Sequence, residues 1–209
     1  MSIRLGDIAP DFTADTTQGV LSFHDWKEGA WAVLFSHPAD FTPVCTTELG
    51  RTAALSGEFA ARNAKAIAVS VDSVKDHLRW VPDIAEVAGV DVDFPIIADE
   101  DRSVSQAYDM IHPGEGDTST ARSASLIDPS HTVRLTITYP KSVGRNFTEI
   151  LRALDALQAT DRSPISTPAE WVPGDRVIVA PAIATDDARE RFANVDEVKP
   201  YLRFADAPA

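Results

Sequence analysis

The chain contains one cysteine, Cys45, and its flanking residues favour a chemical role for the thiol. In the segment "FSHPADFTPVCTTELG" (35–50), Thr42 is a suitable N-cap and Pro43 suits the first position of a helix. Cys45 then falls in the first helical turn, where unpaired backbone N–H groups and the helix dipole favour a thiolate over a thiol. A buried structural cysteine would not require such a polar, turn-prone flank. The segment is therefore predicted to be built around a reactive thiol.

The elements predicted around this segment alternate between strands and helices. Short apolar runs predict buried strands at 31–36, 65–72 and 94–99. Helices are predicted between them, from about Pro43 to Ala64 and after Ser73, and Pro82 is expected to kink or interrupt the second one. This order gives parallel strands with helices on the faces of the sheet. Cys45 is thus expected at the carboxyl edge of the sheet, where open α/β folds bind ligands.

The pattern changes in the second half of the chain. Segments 122–128 and 132–139 predict a β-hairpin. An amphipathic helix follows, with an apolar stripe formed by Phe147, Ile150, Leu151, Leu154 and Leu157. A βαβ unit followed by a hairpin and a helix is the thioredoxin plan, so residues 1–160 are predicted to form an α/β, thioredoxin-like fold with a mixed central sheet. Residues 161–209, about fifty in number, are expected to bury little core alone. We interpret them as a C-terminal extension, lying against the main domain or a second subunit, and favour a dimer arm.

The composition excludes several classes of function. A formal net charge of −13 disfavours binding to nucleic acids and anionic membrane surfaces. One cysteine excludes an intramolecular disulfide and a multi-cysteine zinc site. Four histidines lack metal-ligand spacing and are expected at the surface: His24, His77, His112 and His131. No metal or other cofactor is predicted. Since no apolar run suits a signal peptide or a membrane span, a reduced cytoplasmic location is expected.

Three separated segments then resemble one protein family. "FSHPADFTPVCTTELGR" resembles the active-site segment of the peroxiredoxins, P-x-x-x-T-x-x-C, with Pro38, Thr42 and Cys45 at the matching positions. "TARSASLID" is similar to the family's segment with an essential arginine, here Arg122. "YPKSVGRNFTEILRALDALQ" resembles the one-cysteine branch and contributes Arg145. The later pieces "TPAEWVPGDRVIVAP" and "KPYLRF" also resemble that branch, so the resemblance extends from about Ile3 into the C-terminal segment.

This resemblance implies a thiol-dependent peroxidase for hydrogen peroxide and organic hydroperoxides. Cys45 would attack one peroxide oxygen and become a sulfenic acid, while the other oxygen leaves as water or an alcohol. Thr42 would hydrogen-bond the sulfur and the peroxide. Arg122 would stabilise the thiolate and polarise the O–O bond. Pro38 would shape the pocket and shield the sulfenic acid from further oxidation.

Three further residues are expected in or behind the pocket. Arg145 would add a second positive group, with a surface ion pair as the alternative. His37 corresponds to a histidine expected near the sulfur in the one-cysteine branch, although a solvated loop histidine also fits the sequence. Glu48, one turn after Cys45, is predicted to orient an arginine, with a solvated helix face as the alternative.

The lack of a second cysteine determines the partners expected for the chain. An external thiol or other reductant must restore Cys45, unless two Cys45 residues pair between subunits, and a homodimer or a larger ring is expected. Two alternatives remain: a peroxide sensor or chaperone-like binding protein that uses the same thiol, and a thioredoxin-fold protein with an inert cysteine. The phospholipase activity of some animal members is not predicted. His24 matches that site, but Ala30 replaces its serine and Ser130 replaces its aspartate.

Overall fold

The protein, described here by a computed structural model that covers residues 3–208, divides into two compact units. The first unit ends at Phe147 and the second begins at Thr148. The boundary predicted from the sequence, near residue 160, lies within the helix that opens the second unit. No helix of the described residues is both long and apolar enough to cross a membrane.

The first unit is built on a mixed sheet of seven strands. Its strands are β1 (Thr13–Thr16), β2 (Gly19–Ser22), β3 (Trp31–Ser36), β4 (Ala64–Ser70), β5 (Ile96–Ala98), β6 (Arg122–Ile127) and β7 (Val133–Tyr139). They lie in the order β2-β1-β5-β4-β3-β6-β7. Strands β3, β4 and β5 are parallel, and the other pairings are antiparallel. The thioredoxin-like prediction is confirmed, including the β6–β7 hairpin.

Five α-helices connect these strands. They are α1 (Phe23–Lys27), α2 (Pro43–Ala54), α3 (Ser56–Ala61), α4 (Val74–Ala88) and α5 (Ser103–Ala107), followed by a 3₁₀ turn at Pro113–Glu115. The single helix predicted up to Ala64 is in fact two, because the chain leaves helical geometry at Leu55. Helix α4 continues through Pro82, so the predicted interruption is wrong.

Strand β3 is buried along its whole length, so its alternate side chains pack on opposite faces of the sheet. On one face, Leu34 belongs to a core cluster with Ile67 and Ile97. On the other face, the Phe35 ring lies 5.7 Å from that of Phe147 and perpendicular to it. This double burial fixes the strand that leads into the Cys45 segment.

Helix α2, which contains Cys45, packs closely against α4. A Cβ atom placed on Gly50 would lie 3.0 Å from the Cβ atom of Ala88, so glycine permits this approach. One turn before Gly50, the Thr46 hydroxyl accepts a 3.2 Å hydrogen bond from the indole of Trp80. These contacts bring the first turn of α4 to the loop that precedes α2.

The second unit opens with α6 (Phe147–Arg162) and contains a four-stranded antiparallel sheet in the order β10-β11-β9-β8. Its other elements are β8 (Ile165–Ser166), β9 (Val177–Val179), α7 (Thr185–Arg191), β10 (Asp196–Lys199) and β11 (Leu202–Ala205). Trp171 forms a small apolar cluster with Ile165 and Val177, and Ala156 of α6 packs against it. Because α6 lies before residue 161 and supplies part of this core, the division predicted near residue 160 passes through the cluster, and the expectation that residues 161–209 bury little core alone stays a prediction.

Candidate active site

Cys45 lies at the start of α2, directly after the loop that follows β3. Thr42 is the N-cap residue and Pro43 the first helical residue, as predicted. The Thr42 hydroxyl makes no capping hydrogen bond, however, and donates instead to the carbonyl oxygen of Ala39 at 2.9 Å. Pro38 is half-buried in the same loop. The predicted contacts of Thr42 and Pro38 with the sulfur and the substrate stay predictions.

The sulfur of Cys45 lies beside a guanidinium group. The cysteine is fully buried, which alone would also fit an inert thiol. Arg122, the first residue of β6, donates from Nη1 to the sulfur at 3.4 Å. Its Nε donates to the carbonyl oxygen of Lys141 at 2.8 Å, which fixes the plane of the guanidinium. A fixed positive charge at this distance stabilises a thiolate.

Glu48 links the two arginines that the sequence indicated. It accepts from Nη1 of Arg122 at 2.8 Å and from Nη2 of Arg145 at 2.6 Å. Its other oxygen accepts from Nε and the backbone N–H of Arg145, at 2.9 and 2.8 Å. Since Glu48 is 3% exposed and Arg145 is 7% exposed, neither the solvated helix face nor the surface ion pair describes them.

The charges of this group are set by these hydrogen bonds. Burial would raise the pKa of Glu48, but the hydrogen bonds and charge of Arg145, with the charge of Arg122, outweigh it and hold the pKa below its usual value. Burial lowers the pKa of Arg145, and the hydrogen bonds that its guanidinium donates to Glu48 oppose that effect. Two guanidinium groups and one carboxylate leave one positive charge unbalanced. A negative charge on the neighbouring sulfur would balance it.

A second buried polar group lies in the loop itself. Asp40 accepts from Nε2 of His37 at 2.9 Å and from Nδ1 of His77 at 2.6 Å. All three side chains are buried, so the prediction that His77 is a surface residue is wrong. His37 likewise is not a solvated loop residue, and its Nδ1 has no hydrogen-bond partner among the described residues. The predicted approach of His37 to the sulfur stays a prediction.

These three residues also have the donor types of a metal site, with ligand atoms within 4.8 Å of one another. Their separations along the hydrogen bonds are shorter than the roughly 3.3 Å between ligands around a tetrahedral zinc ion. The arrangement is that of a hydrogen-bonded network. Asp40 lies inside the segment that resembles the peroxiredoxin active site, which is a weak sign of its role. Nothing in the sequence indicated His77, which is 37 residues away from Asp40.

Comparison with known proteins agrees with this geometry. Residues 5–136 match the AhpC/TSA family, and residues 156–194 match the C-terminal domain of 1-Cys peroxiredoxin. A 1-Cys peroxiredoxin of Dictyostelium discoideum is 47% identical over 99% of this chain and 86% of its own length. This chain belongs to the one-cysteine peroxiredoxins. It is thus a thiol-dependent peroxidase, as the resemblance predicted.

Two solved peroxiredoxins share the fold over nearly the whole chain. A cysteine-to-serine mutant of Peroxiredoxin 6 of Arenicola marina superposes with a TM-score of 0.94 at 44% identity, covering 99% of both chains. A yeast mitochondrial 1-Cys peroxiredoxin superposes with a TM-score of 0.92 at 47% identity, covering 98% of this chain and 99% of its own. The thioredoxin-like core and the C-terminal extension therefore both belong to the peroxiredoxin architecture.

Proposed function

We propose that this protein reduces hydrogen peroxide and organic hydroperoxides at Cys45, with Arg122, Thr42 and Pro38 forming the reacting site. The support is the buried group in which Arg122 contacts the sulfur at 3.4 Å and shares Glu48 with Arg145. The group carries one unbalanced positive charge until Cys45 ionises. It therefore stabilises the nucleophilic form of the cysteine and the negative charge that develops on the leaving oxygen.

The proposed first step transfers one oxygen atom to sulfur. The thiolate attacks the terminal oxygen of the hydroperoxide, so the S–O bond forms as the O–O bond breaks. The other oxygen leaves as an alkoxide or hydroxide and takes a proton from water. Cys45 becomes a sulfenic acid. Because the Arg122 guanidinium is held by Glu48 and Lys141, it needs no reorganisation during this step.

In this scheme Thr42 can act on the peroxide only as a hydrogen-bond acceptor. Its hydroxyl hydrogen is donated to the carbonyl oxygen of Ala39, so its oxygen faces a peroxide only as an acceptor. A hydroperoxide has one O–H proton to donate, on the oxygen that the sulfur attacks. Thr42 is therefore proposed to hold that oxygen in line with Cys45.

The proposed second step needs a reductant from outside the chain. Two external thiols supply the two electrons and two protons that convert the sulfenic acid to a thiol and water, and they leave as a disulfide. The chain has no second cysteine to supply one of them. The yeast mitochondrial relative resolves its thiol through glutathione and thioredoxin systems, and we propose a reductant of this class.

We also propose a homodimer or larger ring in a reducing compartment, the cytoplasm being our first choice. The dependence of Cys45 on an external thiol supports a reducing compartment. One relative is named as a mitochondrial protein, so the compartment needs a direct test by fractionation. The exposed apolar residues Val172, Val198 and Tyr201 of the second unit support a contact with another subunit. Sedimentation of the reduced protein would test it, and a monomer at all concentrations would contradict it.

Steady-state turnover tests the function. Hydrogen peroxide and tert-butyl hydroperoxide would be supplied with glutathione plus a glutaredoxin, or with the thioredoxin system, and Cys45→Ser serves as the control. We expect peroxide consumption in at least one of these mixtures and none with the variant. Oxidation of Cys45 without turnover in any of them would favour the peroxide sensor over the peroxidase.

A further inference from the structure

The loop between β3 and α2 carries Pro38 and Thr42, yet its backbone is locally unfavourable. Phe41 has φ of 53°, in the left-handed region that a residue with a Cβ atom avoids. The residue is 48% exposed, and its ring lies 6.2 Å from that of Trp80 and beside the guanidinium of Arg79, both in α4. The conformation that places Thr42 before Cys45 is therefore held by these ring contacts together with the hydrogen bonds of its neighbours in the loop.

Asp40 is the neighbour that anchors this loop. Its carboxylate accepts from His37 and His77, as described above, and its backbone N–H donates to Oδ2 of Asp72 at 3.0 Å. The same Asp72 oxygen accepts from the hydroxyl of Ser70 at 2.7 Å. The loop is thus tied to the carboxyl end of β4 and to the first turn of α4.

The partners of His77 determine the strength of this anchor. Nε2 faces the carbonyl oxygen of Ile97 at 3.1 Å, and a carbonyl can only accept, so Nε2 bears a hydrogen. Nδ1 faces the Asp40 carboxylate at 2.6 Å. Burial would raise the pKa of Asp40, but the hydrogen bonds from His37 and His77 outweigh it and lower that pKa. The short distance indicates that one proton lies between Nδ1 and the carboxylate, so the bond to the loop is a strong one.

We propose that Asp40 and His77 are positioning residues for peroxide reduction, fixing the loop so that Thr42 and Pro38 face the sulfur correctly. The link to Thr42 is short, because its hydroxyl donates to the carbonyl of Ala39, the residue before Asp40. Neither residue touches the Cys45–Arg122–Glu48 group through a hydrogen bond described here. Their loss should therefore impair the reaction with peroxide more than the formation of the thiolate. This inference rests on the proposed peroxidase function.

Two substitutions at His77 separate its two hydrogen bonds. His77→Asn keeps a donor near the position of Nδ1, toward Asp40, and His77→Gln keeps one near Nε2, toward Ile97. Each variant loses the imidazole ring and one of its two hydrogen bonds, so the two are matched in their general cost to the fold. Lys75→Gln, at an exposed position of the same helix, is the control for substitution in α4.

The measured quantity is the rate constant for oxidation of Cys45 by hydrogen peroxide, divided by that for its alkylation by iodoacetamide. Alkylation needs the thiolate alone, whereas oxidation also needs the positioned pocket. We expect His77→Gln to lower this ratio at least about tenfold. His77→Asn and Lys75→Gln should keep it near the wild-type ratio. Circular dichroism and thermal unfolding would confirm that each variant is folded.

Equal ratios in the two His77 variants would overturn the proposal, whether both stay high or both fall. If His77→Gln does not fold, Asp40→Asn provides the same test, because its amide cannot accept from both histidines. A high ratio in that variant would also overturn the proposal. A wild-type protein that oxidises no faster than a free thiol would instead refute the peroxidase function, and this inference with it.

Discussion

The clearest energetic prediction concerns Glu48→Gln. Four hydrogen bonds converge on this carboxylate, three from Arg145 and one from Arg122. Glutamine can accept with one oxygen only, and its amide hydrogens would face guanidinium hydrogens. Removing one partner from a buried ion pair costs about 3–5 kcal/mol. For a domain of this size, each kcal/mol lowers the melting temperature by about 2–4 °C, so the expected decrease is about 6–20 °C.

Differential scanning calorimetry would test this prediction, with Glu58→Gln as the control. Glu58 forms an i,i+4 ion pair with Arg62 on α3, and its side chain is 58% exposed. Such a pair contributes about 0.3–0.5 kcal/mol, so the control should melt within about 2 °C of the wild type. If Glu48→Gln melted as the control does, the two arginines would not depend on Glu48 and our reading of the site would be refuted.

Three further predictions follow from the same contacts. Arg122→Lys should lower the rate constant of Cys45 oxidation by about 10²–10³-fold. The reason is that an ammonium group cannot donate at once to the sulfur, to Glu48 and to the carbonyl of Lys141 in the geometry of the guanidinium. A near-normal rate in stopped flow would contradict this prediction. The stability contributed by Glu48 should be complete above its unfolded pKa of about 4.5 and lost as pH falls through its lower folded pKa. The difference in unfolding free energy between wild type and Glu48→Gln should therefore shrink in acid. A difference that stays constant with pH in urea titrations would contradict this prediction. Gly50→Val should destabilise the fold by about 1–3 kcal/mol, because its side chain would overlap Ala88; an unchanged urea midpoint would contradict it.

Local sequence signals predicted where Cys45 lies in the fold. Thr42 and Pro43 indicated a helix start, and the buried run of β3 indicated a sheet edge, so the placement of Cys45 followed from short-range rules. The side-chain contacts did not follow from those rules. Thr42 is of a residue type that commonly caps helices, yet its hydroxyl donates to the loop carbonyl of Ala39.

Long-range pairings were the part that the sequence could not supply. Asp40 and His77 are joined only because β3 and β4 are parallel neighbours and α4 returns across the sheet. The β1–β2 hairpin was missed because its strands are four residues each, with little apolar alternation. Pro82 was expected to kink or interrupt α4, but the helix continues through it, since tertiary packing can override a local penalty.

Oxidation of Cys45 by peroxide tests most directly whether this residue is a peroxidatic thiolate. Reduced protein would be mixed with equimolar hydrogen peroxide in a stopped-flow fluorimeter, with Cys45→Ser as control and mass spectrometry of quenched samples. Trp80 is a suitable reporter, because its indole donates to Thr46, the residue after Cys45. We predict a fast fluorescence phase, absent from the variant, with one added oxygen on Cys45. A cysteine that gains no oxygen within seconds would contradict the account.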